Sequence, residues 1–347
     1  MDAPYSIIGA LEDVDADAET STIVSASAPP PAVVPPTISE CSLAAQTPDG
    51  VCVSDKSLQI MAKIAEVPIN KPKIEILNSA KNKLNCGTTR CVLGHLGSAG
   101  ERDITHKLKI PGPTDVSLLN NFNIDDNMKQ WTLVYHDFFP YDFNMRDYEA
   151  QNKTLHTINM QQLYDGVITY DIGKRLLWDD KRPKTKTRPF RTAGCVINTD
   201  WYSGRGKHWM AFFVDMRKEN GPWTVEFFNS SGNAPLTEYA AWMEKTKIEL
   251  EQIISTHNLP VSEVICKRIC VPHQRSRTEC GVYSLFYIYC RLKGTPIEYF
   301  VRNRIADETM FEFRQHLFFD KSREQMVKFD YNKFKQSTNI LWEISSS

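Results

Sequence analysis

The residue types best suited to chemistry in this chain are a cysteine, a histidine, an asparagine and a glutamine. Cys280 follows a polar loop that contains Gln274. A thiol is a nucleophile near neutral pH, and the imidazole of His208 could take its proton and later protonate a leaving amine. The Asn229 amide could orient that imidazole through its second ring nitrogen. The Gln274 side chain and the Cys280 amide could stabilise a tetrahedral oxyanion. The set predicts hydrolysis through a covalent thioester.

The predicted secondary structure places these residues at the ends of neighbouring elements. Residues 208–215 have the pattern of a buried strand, and residues 223–229 that of the next strand in a hairpin. The start of one strand then lies beside the end of the other, so His208 and Asn229 share one rim of a sheet. Cys280 begins a buried helix, where the positive end of the helix dipole is expected to lower its pKa and favour the thiolate.

Two acidic residues are alternatives to Asn229 as the orienting group. Glu226 is on the same strand as Asn229, but side-chain alternation puts it on the opposite face. Asp215 lies at the far end of the His208 strand, about 23 Å away by strand rise. Asn229 is therefore the expected partner of the histidine.

Several motifs around these residues resemble the SUMO-specific protease superfamily. The resemblance covers roughly residues 110–320 and is strongest to the viral branch that contains the polyprotein-processing cysteine protease of African swine fever virus. The matching motifs are Leu118-Leu-Asn-Asn-Phe-Asn-Ile-Asp125, Gly194-Cys-Val-Ile-Asn-Thr-Asp200, Gly206-Lys-His-Trp209, Phe228-Asn229-Ser230, His273-Gln-Arg-Ser276 and Thr278-Glu-Cys-Gly281. The cellular SUMO proteases usually carry Asp where Asn229 stands, which is a departure in the orienting residue.

The resemblance implies both a fold and a set of roles. The fold is α+β, with a papain-related core of a mixed central sheet flanked by helices and a mainly helical N-terminal arm domain. The implied roles are Cys280 as nucleophile, His208 as base, Asn229 as orienter, Gln274 in the oxyanion hole, and Trp209 and Asn198 in substrate binding. A narrow slot beside Trp209 would admit only residues without side chains, although plain core packing explains a tryptophan there equally well.

The function implied by the resemblance is that of a cysteine endopeptidase. It would cleave viral structural polyproteins at Gly-Gly-x sites during virion maturation, in the host cytoplasm at assembly sites and in the virion. The chemistry needs no cofactor. One alternative is a deubiquitinase or deSUMOylase that acts on ubiquitin-like Gly-Gly tails. Another is a catalytically inactive capsid scaffold or binding protein, which would have no need to keep all four residues.

Composition excludes other classes of function. The net charge is −1 and 41% of the residues are hydrophobic, so neither nucleic-acid binding nor membrane insertion is expected. The basic stretch 174–191 is interrupted by acidic residues and is predicted to be a solvated linker or a surface that faces an acidic partner. The N-terminus lacks the basic start and apolar core of a signal peptide.

The nine cysteines are expected to be reduced thiols. Cys86 and Cys91 with His95 lack the second half of a zinc site, so no metal is predicted.

The pattern along the chain predicts four regions. Residues 1–55 form a disordered tail that contains a proline-rich run. Residues 56–185 form the helical arm, residues 186–330 the protease core, and residues 331–347 a C-terminal extension.

Overall fold

The computed structural model describes residues 39–168 and 189–319. Most of the predicted tail, most of the basic stretch and the C-terminal extension lie outside these ranges. The α-helices are α1 (Asp55–Ala65), α2 (Lys73–Leu84), α3 (Thr89–Gly94), α4 (Gly97–Lys107), α5 (Asn121–Trp131), α6 (Thr154–Thr157), α7 (Met160–Asp165), α8 (Thr237–Thr256), α9 (Cys280–Leu292), α10 (Ile297–Arg302) and α11 (Asp307–Leu317). The strands are β1 (Ile110–Pro111), β2 (Phe138–Pro140), β3 (Thr192–Asn198), β4 (Trp209–Asp215), β5 (Trp223–Phe228), β6 (Val264–Ile269) and β7 (Phe318–Phe319).

A five-stranded mixed sheet forms the centre of the fold. Its strand order is β2-β3-β4-β5-β6. The three middle strands are antiparallel, whereas β2 runs parallel to β3 and β6 parallel to β5. β3 and β5 are buried along their whole length, so apolar residues face both sides of the sheet, and the few polar residues within these strands are buried too. The predicted α+β core with a mixed sheet is confirmed.

Helices cover both faces of this sheet. α9 packs on one face, where Phe228 of β5 stacks on Tyr287 with ring centroids 4.5 Å apart. α8 packs on the other face, where Phe212 of β4 lies 4.5 Å from Trp242. Large aromatic side chains on both faces bury much apolar area and fix the height of each helix above the sheet.

A buried charge network joins β4 and β5 to the C-terminal half of α9. Glu226 is fully buried and accepts hydrogen bonds from Arg291 and from the Tyr287 hydroxyl. Asp215 pairs with Arg217 and also with Arg291. Both acidic alternatives to Asn229 are therefore engaged in this network, away from the histidine, as strand geometry predicted.

The first described residues pack as part of the fold, which corrects the predicted end of the disordered tail. Cys41, Val51, Cys52 and Val53 are buried in a cluster with α1–α4. The apolar side chains in this short stretch are sufficient to anchor it, because they fill one face of a helical subdomain. Residues 39–55 therefore belong to the folded part of the chain and not to the predicted tail, and residues 1–38 lie outside the described part.

Four cysteines are paired, so the prediction of reduced thiols throughout was wrong. Cys41 bonds to Cys52, and Cys86 bonds to Cys91. The ring nitrogen of His95 lies within 4.8 Å of both sulfurs of the second pair, which accounts for the resemblance to a metal cluster in the sequence. The spacing of the cysteines in the sequence does not indicate which of them pair. Both disulfides close short local loops.

The arm and the core are joined by more than a linker. β1 pairs in parallel with β7, the last strand described. β2, which lies within the predicted arm, is the edge strand of the central sheet. Where the chain divides into domains therefore stays a prediction. No described helix combines the length and the apolar composition of a membrane-spanning segment.

Candidate active site

The site begins at one rim of the β4–β5 hairpin. His208 immediately precedes β4 and Asn229 immediately follows β5. The antiparallel register pairs Ala211 with Phe228, so the two polar residues extend past the same end of the hairpin. The His208 Nε2 atom lies 2.8 Å from the Asn229 Oδ1 atom.

The partners of Asn229 fix which ring nitrogen of His208 carries the proton. The Asn229 Oδ1 atom also accepts from the backbone N–H of Ser231, and its Nδ2 atom donates to the backbone carbonyl of Asn233. A backbone N–H can only donate and a carbonyl can only accept, so the amide cannot be reversed. The oxygen therefore faces His208, and Nε2 must be the donor. The Nδ1 atom of the neutral ring is left as the base.

A glycine allows the turn that carries Asn229 to approach the neighbouring loop. Gly232 has a φ of +83°, and a Cβ there would come within 3.0 Å of the Pro272 nitrogen. Ser231 and Pro272 form an isolated β-bridge at the same point. A side chain at position 232 would separate the Asn229 turn from the loop that contains Gln274.

Cys280 is the first residue of α9, and burial sets its protonation state. The backbone N–H of Trp209, the residue after His208, hydrogen-bonds to the Cys280 sulfur. The residue is only 2% exposed. Burial raises the pKa of the Cys280 thiol, against the hydrogen bonds from the amides of Trp209, Gly281 and Cys280 itself. The predicted lowering of this pKa by the helix dipole was wrong, because the loss of solvation exceeds the effect of the helix N-terminus.

Burial also sets the protonation state of His208. It lowers the pKa of the imidazole, and the hydrogen bond to Asn229 offsets part of this shift. At neutral pH Cys280 is therefore a thiol and His208 a neutral imidazole.

Gln274 lies in the loop next to Asn229, with its amide orientation fixed. Its Nε2 atom donates to the Ser276 carbonyl and its Oε1 atom accepts from the Ser230 hydroxyl, each at 2.8 Å. The Gln274 backbone N–H donates to the Ser230 carbonyl. One N–H of the side-chain amide is thus engaged with Ser276, and the second remains for an oxyanion.

Trp209 and Asn198 hold the surroundings of His208 in place. The indole N–H of Trp209 donates to the Leu119 carbonyl at 3.1 Å, which links the core to the arm. Asn198 is buried, and its Oδ1 atom accepts from the backbone N–H groups of Asp200 and Lys207. Asn198 therefore organises the loop that leads to His208, and its buried side chain is not open to a substrate.

Two contributors to the site were missed in the sequence. Ser230 is buried and holds the Gln274 amide, and its position directly after Asn229 was the available signal. Leu119 of the arm packs on Gly281, where an added Cβ would lie 3.2 Å from the Leu119 side chain. No pattern in the sequence connects these two residues, because the contact depends on how the arm folds over α9.

A second cysteine, Cys195, also contacts an asparagine but is poorly suited to be the nucleophile. The Asn144 side-chain amide donates to its sulfur at 3.4 Å. Cys195 lies in the middle of β3 with no exposed surface. Burial raises the pKa of its thiol well above the ordinary value, so a substrate carbonyl could not reach a thiolate there.

Comparison with known proteins identifies the family to which the chain is similar. The model of the Ulp1 protease family, C-terminal catalytic domain, matches residues 185–327. A cysteine protease of African swine fever virus is 37% identical over 249 residues, which cover 69% of this chain and 85% of that protein. A putative thiol protease of Acanthamoeba polyphaga mimivirus is 30% identical over 144 residues, which cover 42% and 43% of the two chains.

A solved structure extends the similarity to the fold. The crystal structure of the African swine fever virus protease superposes with a TM-score of 0.63 at 32% sequence identity. The match covers 82% of this chain and 97% of that one. It therefore includes most of the described arm region as well as the sheet and its helices.

Proposed function

The chain belongs to the Ulp1 family of cysteine proteases, and from this premise we propose that it is an endopeptidase that cleaves viral structural polyproteins after Gly-Gly during virion maturation. The observation that carries the proposal is the His208–Asn229 hydrogen bond of 2.8 Å, with the amide orientation fixed by Ser231 and Asn233. This bond leaves a basic nitrogen free one residue away from the amide that contacts the Cys280 sulfur.

The first half of the reaction forms a thioester. The Cys280 sulfur attacks the carbonyl carbon of the scissile bond while its proton passes to His208 Nδ1. The carbonyl oxygen becomes an oxyanion that accepts hydrogen bonds from the free N–H of Gln274 and from the Cys280 amide. His208 then gives its proton to the leaving nitrogen as the carbon–nitrogen bond breaks, and the amine product departs.

The second half releases the other product. A water molecule gives a proton to His208 and attacks the thioester carbon, and the same N–H groups stabilise the second oxyanion. When the carbon–sulfur bond breaks, the proton returns to Cys280. Asn229 keeps the imidazole in one orientation through both proton transfers, since it accepts from Nε2 throughout.

Preference for Gly-Gly is supported by the surroundings of Cys280. Trp209 is only 8% exposed, and its indole is held by the Leu119 carbonyl. Leu119 in turn packs against Gly281. A substrate that approaches the sulfur between these groups meets rigid walls on two sides, and residues without a Cβ pass there with least strain.

Hydrolysis of matched substrates tests the proposal. We expect a protein fusion with a Gly-Gly-x site to be cut after the second glycine, and the same fusion with Gly-Ala-x or Ala-Gly-x to be cut much more slowly. Cys280→Ala should abolish cleavage, whereas Cys266→Ala, which changes a half-buried free thiol on β6, should leave it intact. Equal cleavage by Cys280→Ala, or loss of cleavage only in Cys195→Ala, would refute the assigned nucleophile.

A second substrate separates the alternatives. A ubiquitin-like protein fused through its Gly-Gly tail is offered to the same enzyme. If this fusion is cut and unstructured Gly-Gly-x sequences are not, the protein is a deubiquitinase or deSUMOylase. If neither is cut, the scaffold hypothesis replaces the endopeptidase.

A further inference from the structure

Residues 274–280 contain both the proposed oxyanion donor and the proposed nucleophile. Residues 274–279 have an irregular backbone, and Cys280 begins α9. Two reactive groups that must be held within a fraction of an ångström therefore depend on contacts from elsewhere in the fold.

One end of the segment is held by Asp307, the first residue of α11. Its carboxylate accepts from the backbone N–H of Ser276 at 2.8 Å and from that of Arg275 at 3.2 Å. It also accepts from the Tyr283 hydroxyl at 2.9 Å. The Ser276 carbonyl in turn accepts from the Gln274 side chain. Asp307 therefore positions Ser276, the residue to which the oxyanion donor is hydrogen-bonded.

The other end of the segment is held by Arg314, two turns later on the same helix. Its guanidinium bonds both oxygens of Glu279, the residue before Cys280, at 2.9 Å. Both side chains are 0% exposed. A charge-assisted bidentate pair of this kind fixes direction as well as distance. Arg314 Nη1 also donates to the Pro113 carbonyl of the arm at 3.3 Å.

The seven-residue spacing places Asp307 and Arg314 on one face of α11, about 10.5 Å apart along its axis. We propose that α11 is a positioning clamp for the active site: Asp307 positions Gln274, and Arg314 positions Cys280 and couples it to the arm. The proposal rests on the function proposed above and concerns residues that touch neither the substrate nor the reacting atoms.

Asp307 is tested by comparing its variants in two reactions. Alkylation of Cys280 by iodoacetamide forms a carbon–sulfur bond and releases iodide without any oxyanion, whereas proteolysis needs one. In Asp307→Ala we expect kcat to fall roughly 10- to 100-fold, with KM and the alkylation rate changed by about twofold or less. Asp307→Asn should recover most of kcat, because one amide oxygen can accept from both backbone N–H groups while its NH₂ donates to Tyr283.

A matched control is Glu308→Ala, which removes the exposed carboxylate next to Asp307 and should leave kcat unchanged. The alkylation rate is measured by mass spectrometry of the Cys280 peptide, since the chain has other free thiols. If Asp307→Ala keeps the wild-type kcat, or loses kcat and alkylation equally, Asp307 does not position the oxyanion donor.

Arg314 is tested by alkylation alone, which needs no substrate. Arg314→Met should slow alkylation of Cys280 roughly tenfold, because the segment loses the contact next to the sulfur. Arg314→Lys should recover part of the rate, and Arg302→Met, an exposed control on α10, should not change it. An unchanged rate in folded Arg314→Met would overturn this half of the clamp. Failure of the wild type to cut any Gly-Gly substrate would instead refute the proposed function.

Discussion

The two ends of the β4–β5 hairpin are built from different kinds of contact. Toward the Asp215 end, Glu226 forms a buried ion pair with Arg291, and Asp215 forms partly buried pairs with Arg291 and Arg217. At the other end, the described hydrogen bond of His208 runs to the neutral side chain of Asn229. Charged side chains near this end form ion pairs with each other, Glu279 with Arg314 and Asp200 with Lys207.

The difference follows from what each end has to do. A buried charge that never changes can be paired permanently, and such a pair fixes the structure in one arrangement. In the proposed reaction His208 gains and loses a proton in each turnover, and a permanent charge beside it would favour one of its two states. Neutral partners leave burial as the main influence, so the histidine starts neutral and the cysteine starts protonated. We therefore expect the charged end to maintain the fold, and the neutral end to carry out the proposed reaction.

The largest expected effect is on stability, at the charged end. Arg291→Met leaves the Glu226 carboxylate buried with only hydroxyl partners, and we expect the free energy of unfolding to fall by about 3–5 kcal/mol. Urea denaturation followed by circular dichroism measures this loss. Arg268→Met, an exposed arginine on β6, should cost less than about 0.5 kcal/mol. If both variants are equally stable, the charged end does not maintain the fold.

The next effect is the pH dependence of stability at the neutral end. His273 is fully buried, and burial lowers its pKa to about 4. Between pH 6.5 and 4 the unfolded chain binds a proton at this residue and the folded chain does not, so stability falls as the pH falls. The loss through this window is about 3 kcal/mol. His273→Asn cannot titrate but can still accept from the Ile305 N–H, as His273 does.

The measurement for His273 is the free energy of unfolding at a series of pH values. The wild-type curve should be steeper than that of His273→Asn by up to one proton between pH 6.5 and 4. If the stability of His273→Asn depends on pH as that of the wild type does, His273 binds a proton in the folded protein as it does in the unfolded chain.

The smallest expected effect is a shift in the pH profile of catalysis. Asn229→Asp places a negative charge next to His208, which favours the imidazolium and raises its pKa. Since the base must be neutral, the acid limb of kcat/KM should move to higher pH, by about one unit. The plateau should also fall, because the carboxylate repels the Asn233 carbonyl that now accepts from Asn229. Asn233→Asp, at an exposed position, is the matched control and should shift the limb far less.

Much of the site could be predicted because it depends on local pattern. An apolar run that begins at His208 and another that ends at Asn229 define a hairpin, and the geometry of a hairpin brings these two residues together. The motif that carries Gln274 and Cys280 adds the loop and the helix. The family resemblance implied the roles and the overall fold. The local pattern and the family resemblance both place His208 and Asn229 at the same rim of the sheet.

What could not be predicted depends on which surfaces cover the site. The pKa direction of Cys280 is set by desolvation, and Leu119 packs on the adjacent Gly281 from more than 150 residues away in sequence. Asp307 and Arg314 lie in an amphipathic helix, where charged residues ordinarily face solvent. The same holds for Asn198, because only the folded loop shows that its amide oxygen already accepts hydrogen bonds from the backbone. Long-range burial and not local pattern decides these points.

The distribution of the disulfides imposes opposite requirements on the two halves of the molecule. The four paired cysteines lie before residue 92, and the five free ones lie after residue 194. A reducing agent protects Cys280 from oxidation but opens the pairs that staple the arm, whereas an oxidising buffer does the reverse. Assays should therefore vary reductant as a parameter in its own right.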